Sequence, residues 1–277
     1  MIQRQQNRNG GPNRYSTLII WTTVAVIAIV IIAAIIYIAS GSKREVKPPS
    51  TGSQGSVISS EPMKELPEMK DKPQPRYASF KGCPPEGDGG DPELNRNKNR
   101  IDEGSYIPVE FDAVLDLDWP PEVERRDHKN WPNKAKSQVE KYEGIPIAVE
   151  GYLFSAKQSG PESCNCHGAD KEFRDYHVWL IKSEGEDRTK SIVTEVTPAL
   201  RANHPNWDLR NLNKIARQGQ KVRISGWLML DPEHPDQVGK TRGTIWEIHP
   251  IMKIEVNENG KWVNLDDMNF VKRGGNA

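Results

Sequence analysis

The sequence predicts a small, mainly β barrel of five strands with one helix, held at a membrane by a single N-terminal transmembrane helix. Three observations predict it. Thr17–Ala39 is apolar at every position except Thr17, Thr22 and Thr23. Residues 144–257 carry five segments of strand-like alternation. One segment of helical spacing falls between the third and fourth of these. The chain has 277 residues, and its hydrophobic fraction of 35% is low because the apolar residues are unevenly spread. Outside Thr17–Ala39 the share drops to roughly 30%, too little for one continuous core. Part of the remainder is therefore linker or irregular chain.

Thr17–Ala39 is long enough to span ~30 Å of hydrocarbon at 1.5 Å per residue. Trp21 and Tyr37 stand near its ends, where amphipathic rings favour the interface. It is longer than the ~7–15 residues of a signal h-region, although Ala39, Ser40 and Gly41 would suit cleavage. Arg4, Arg8 and Arg14 flank one side, and Lys43, Arg44 and Lys47 the other, so the positive-inside rule is nearly balanced. The expected arrangement is the common one: a short N-terminal tail (1–16) inside and the C-terminal part exported. The protein is then a single-pass protein of the inner cell membrane with a periplasmic domain. Residues 40–76 are rich in Ser, Pro, Gly, Lys and Glu and read as a flexible linker.

Residues 77–143 read as an irregular, mixed layer. Gly82-Cys83-Pro84-Pro85 opens a turn-rich loop. Asp91-Pro92-Glu93 supplies an N-cap, a Pro at N1 and a first-turn acid for a short polar helix. Arg96, Lys98 and Arg100 then read as its solvated face. Val109–Leu117 is a short element of undecided type.

Within the barrel region, 144–257, the alternation marks strands at Ile145–Phe154, Tyr176–Ile181, Ser191–Thr197, Lys221–Leu230 and Thr244–Val256. Pro250 demands an edge or a bulge in the last one. Leu209, Leu212, Ile215 and Ala216 have helical spacing, and Gly219 ends that helix. Three strands, a helix and two strands is the order of an OB-fold. In that barrel the first strand pairs with the second and fourth, and the fifth is expected to close against the first. Residues 258–277 read as a tail.

Several strings occur together: Gly82-Cys83-Pro84, Leu94-Asn95-Arg96-Asn97-Lys98-Asn99-Arg100, Glu162-Ser163-Cys164-Asn165-Cys166-His167, Glu195-Val196-Thr197-Pro198, Gly226-Trp227-Leu228, Asp231-Pro232-Glu233-His234 and Trp246-Glu247-Ile248-His249-Pro250. In combination they resemble a family of bacterial envelope proteins with an OB-fold-like domain. The resemblance implies a bacterial setting and supplies no activity.

Three groups of residues can carry chemistry. Cys164, Cys166 and His167 lie within four residues and can bind a soft metal such as zinc, completed by Cys83, His177 or His249. Equally, Cys83 can join Cys164 or Cys166 in a disulfide on the exported side, or the thiols can stay unpaired. His177, Glu247 and His249 lie on strands, and 247 and 249 share a face. If the barrel brings these three together they form a zinc-type catalytic site, with Glu233 and His234 as further members. Otherwise each histidine is an ordinary hydrogen-bonded residue. Trp179, Arg223, Trp227 and Trp246 are candidates for binding an oligosaccharide or nucleic acid, the ligands of OB-folds. Trp207 could stack too, though tryptophans in a small barrel usually fill the core. Arg210, Lys214, Arg217, Lys221 and Arg223 form a basic run, which equally suits a solvated helix face. The barrel region balances 15 basic against 15 acidic residues, which disfavours nucleic acid. No P-loop, GxGxxG, HExxH or GxSxG motif occurs. The leading expectation is thus a membrane-tethered binding or interaction module. A metal-dependent hydrolase-like site and a structural envelope protein that docks a partner protein are the alternatives.

Overall fold

The computed structural model describes residues 57–58 and 61–270, so the expected membrane span and tail at 1–39 lie outside the described residues. Among the described residues no helix is long and apolar enough to cross a membrane. The strands are β1 (Ile107–Val109), β2 (Pro146–Gln158), β3 (Tyr176–Ile181), β4 (Ile192–Val196), β5 (Lys221–Leu230), β6 (Trp246–Glu258) and β7 (Lys261–Asn264). The helices are α1 (Pro92–Lys98), α2 (Phe111–Leu115), α3 (Asn133–Val139), α4 (Pro198–Arg201) and α5 (Leu209–Arg217).

β2 to β6 form a closed barrel. β2 pairs with β3, β3 with β4, β4 with β6, β6 with β5, and β5 returns to β2. All of these pairs are antiparallel except β4–β6, which is parallel. This corrects the expected closure: the last barrel strand seals against the third, not the first. The reason is geometric. β2 already has β3 and β5 on its two edges, so β4 and β6 hold the remaining free edges. Two short strands extend the sheet, β1 beside β2 and β7 beside β6.

The predicted elements map well. Asp208 caps α5 by accepting from the Asn211 N–H at 2.7 Å. α5 buries Leu212 and Ile215, each worth ~2–3 kcal/mol relative to exposure. Asn213 ties it to β2 through both the N–H and the C=O of Ala156. Pro250 does sit at an irregularity: the β5–β6 register shifts around Gly226, and His249–Pro250 is cis.

Three expectations change. The linker expected to run to Arg76 is packed well before that. Met63 exchanges backbone hydrogen bonds with Pro108 and Glu110, and Leu66 is buried in the core. The tail expected from 258 instead builds β7 and buries Leu265. The polar helix has Asp91 as its cap, as expected, but it is not solvated. Asn95, Lys98 and Asn99, at i, i+3 and i+4, form one inward face. Arg100 follows, with its guanidinium in a two-pronged pair to Asp102 and stacked 3.3 Å above the Trp227 ring.

Candidate metal centre on the outer wall of the barrel

Strand alternation divides the barrel wall into two faces. Val178, Leu180, Ile192, Val196, Trp246 and Ile248 join the hydrophobic core. Their alternates His177, Glu195, Glu247 and His249 face the other way. Register aligns them: His177 is opposite Glu195, and Val193 pairs with Glu247 across the parallel β4–β6 seam. That seam is what brings His249 beside Glu195.

This polar outer face is not left to water. α1 packs against β6 and supplies Lys98. The β2–β3 loop lays Glu162, Cys164 and Asp175 over it. The β5–β6 loop adds Asp231, Glu233, His234 and Arg242. The result is a buried ionisable layer. His177 Nε2 lies 3.1 Å from Glu195 and 3.6 Å from Glu162. His249 Nδ1 lies 3.6 Å from both Glu195 and Glu247. Cys164 Sγ lies 3.7 Å from Glu162 and from Asp175.

Charge does not balance in this layer. Glu162, Asp175, Glu195, Asp231 and Glu247 supply carboxyls, while the permanent cations are Lys98 and Arg242. Lys98 pairs with Glu162 at 3.3 Å and Glu233 at 3.5 Å. Burial alone would strip its proton, but Glu162 and its acidic neighbours outweigh that and keep it charged. Arg242 spans Asp231 at 2.9 Å and Glu247 at 2.7 Å. Burial opposes the Asp231 charge, yet its bond to His234 and the Arg242 guanidinium hold this carboxyl well below the usual range. Glu195 and Asp175 are left over. Burial together with Glu247, Glu162 and Asp175 drives the Glu195 carboxyl far up. Burial and Glu162 push Asp175 up to about 8. Burial holds the His249 imidazole neutral, and neither of its ring nitrogens has a hydrogen-bond partner. Glu195 Oε2 and Asp175 Oδ1 are also buried without one.

Buried polar atoms normally find partners, so this concentration of orphans needs a cause. The donors fit a divalent cation. Separations of 3.1–3.6 Å are mostly too long for hydrogen bonds. They match the ~3.3–3.4 Å spacing of atoms that share a tetrahedral ion at ~2.0–2.1 Å. Two groups of possible ligands share Glu195, each with its donor atoms within 4.8 Å of one another: Glu162–His177–Glu195 at the edge, and Asp175–Glu195–His249 inside. Imidazole with carboxylate suits zinc, manganese or iron.

No protein-family model matches this chain, and no curated protein does.

The sequence-derived candidates separate clearly. His177 and His249 fall in neighbouring ligand groups, joined through opposite oxygens of Glu195. Glu247 lies beside them, engaged by Arg242. Glu233 and His234 form a side group with Asp231 at the edge. The Cys164-Cys166-His167 metal motif is not assembled. Cys166 is consumed in a disulfide with Cys83, and His167 turns away to the Asp88 carbonyl. Cys164 alone joins the buried layer, where burial and Asp175 keep its thiol protonated. Trp227 and Trp246 are sealed in the interior, bonding the Asp102 and Asp118 carbonyls, which leaves no ring face for a ligand. Trp207 is fully buried against His204. Arg223 is tied to Glu255 and stacked on Trp262. Trp179 alone borders an open cleft.

Sequence reasoning missed Lys98, Glu162, Asp175, Glu195, Asp231 and Arg242. One signal was present. Glu195 is a charge in the middle of Ile192-Val193-Thr194-Glu195-Val196, an otherwise buried strand.

Proposed function

We propose that the chain is an OB-fold-like barrel module that binds a divalent metal ion in the Glu162–Asp175–His177–Glu195–His249 layer, a hydrolase-like site. The barrel is held in the cell envelope by Thr17–Ala39. The observation that carries the reading is His249: fully buried, without a hydrogen-bond partner on either ring nitrogen, and 3.6 Å from two carboxylates. The OB-like assignment is supported by the closed strand order and by α5 between the third and fourth barrel strands. Export is supported by the Cys83–Cys166 disulfide, which suits an oxidising compartment.

A metal there would act as a Lewis acid on a substrate oxygen. The residues divide the remaining work. Asp175, Glu195 and His249 would hold the ion. Lys98 and Arg242 balance the surplus carboxylates. His177 and Glu162, whose side chains are 27% and 22% exposed, form the edge that solvent and substrate reach, and His177 is placed to move a proton there.

Elemental analysis of the purified full chain tests this. The expected result is a stoichiometric divalent metal that His249→Ala loses. A metal-free wild-type chain overturns the reading and leaves a non-catalytic binding or interaction module.

A further inference from the structure

A cleft of about 430 Å³ opens beside the edge of this layer, with His177 and Trp179 in its lining. A larger groove of about 700 Å³ runs past Leu66 and Tyr142, but none of the buried ionisable groups lines it. The smaller cleft therefore has the chemistry next to it.

Its charge is distinctive for a chain with 38 basic and 38 acidic residues. Lys157, Arg188 and Lys240 line it. Among the described residues none of the three makes an ion pair, whereas Lys182 and Lys221, on neighbouring parts of the barrel, pair with Asp112 and Glu150. One acid, Asp236, is in the lining, and it is already engaged by Arg125 at 2.7 Å. Arg188 is also held in place: its guanidinium lies 4.9 Å from the centre of the Trp179 ring. A guanidinium stacked on an aromatic face keeps its N–H edge free for a fork of hydrogen bonds.

Three cations without an ion-pair partner among the described residues, around one cleft beside the His177 edge of the layer, select a compact, multiply charged anion. We propose that this cleft binds a phosphate ester, with Arg188, Lys157 and Lys240 on the phosphate oxygens and the phosphorus group directed to His177. The proposal rests on the metal-centre reading, because His177, which lines the cleft, lies 3.1 Å from Glu195 of the ligand layer. A carboxylate has only two oxygens to offer; a phosphate monoester has three terminal ones, which matches the number of donors.

Inorganic phosphate is the simplest probe. Calorimetric titration into the zinc-loaded full chain is expected to show binding, weakened at least tenfold in the Arg188→Ala/Lys240→Ala variant. The zinc content of that variant should stay at the wild-type level, since neither residue belongs to the ligand groups. Zinc-loaded wild-type protein that ignores phosphate, or a double variant that binds it as the wild type does, overturns this inference alone. A wild-type chain that takes up no metal overturns the centre itself and this inference with it. Parallel titrations with glycerol 3-phosphate and with phosphatidic acid vesicles identify the source. Tighter binding of either one supports the proposal and tells a soluble ester from a lipid headgroup.

Discussion

His128 illustrates how much one buried residue can carry away from the candidate centre. Its ring stacks on Trp131 with centroids 4.0 Å apart. Its Nδ1 bonds Asp91, and Nε2 lies 3.8 Å from Glu143. Burial disfavours its charge, but Glu143 and Asp91 outweigh that and raise its pKa to about 9. The sign follows from linkage. A pKa raised on folding contributes stability in full below the unfolded value near 6.5, and that contribution is lost as the pH rises through about 9. The stability gap between wild type and His128→Gln should therefore shrink by roughly 2–3 kcal/mol between pH 6 and pH 10. Urea unfolding at the two pH values measures it, and a gap independent of pH would refute the assignment. Asp91 was legible as a helix cap because capping is local. Its second role, accepting from the His128 backbone and ring, depends on a residue 37 positions away and was not.

At the scale of elements, Gly226 on β5 is a tight point of the barrel. A Cβ there would collide with the Pro250 carbonyl oxygen and the Ile248 side chain of β6, where the β5–β6 register shifts. Gly226→Ala is expected to destabilise the fold by ~1–3 kcal/mol, the usual cost of overpacking. It should lower the urea midpoint with the slope unchanged. The strands around this point were legible because alternation is a property of the local chain. Their pairing was not. The β4–β6 parallel seam rests on two registered pairs, Val193–Glu247 and Thr194–Ile248, with no shared local signal. Yet that seam sets Glu195 beside His249.

For the molecule as a whole, the covering layer over the barrel needs a fastener. Cys83 and Cys166 are 83 residues apart in sequence and join the turn-rich loop near α1 to the β2–β3 loop. In the chain-entropy description a closed loop of this length stabilises by ~4–5 kcal/mol. Asn99 reinforces the same junction by donating to the Cys164 and Pro85 carbonyls. Reductant should therefore lower the Tm markedly, Cys83→Ser should reproduce the drop, and Cys164→Ser should leave the sensitivity to reductant intact. Differential scanning calorimetry of the three proteins checks this. Equal sensitivity in Cys83→Ser and wild type would show that the staple is not the cause.

By itself the sequence determined the five barrel strands, the helix between the third and fourth of them that Gly219 ends, the strongly apolar segment at 17–39 and the sharing of one face by Glu247 and His249. These follow from periodicity and capping, which act within a few residues. Only the tertiary structure decided which cysteine Cys83 joins, that Lys98 and Arg100 are buried rather than solvated, and that Glu162, Asp175, His177, Glu195 and His249 meet in one layer. Those outcomes depend on which strand edges remain free to close the barrel and on what then covers the closed wall. Both are long-range consequences of burying the apolar faces together, and no local pattern in the chain encodes them.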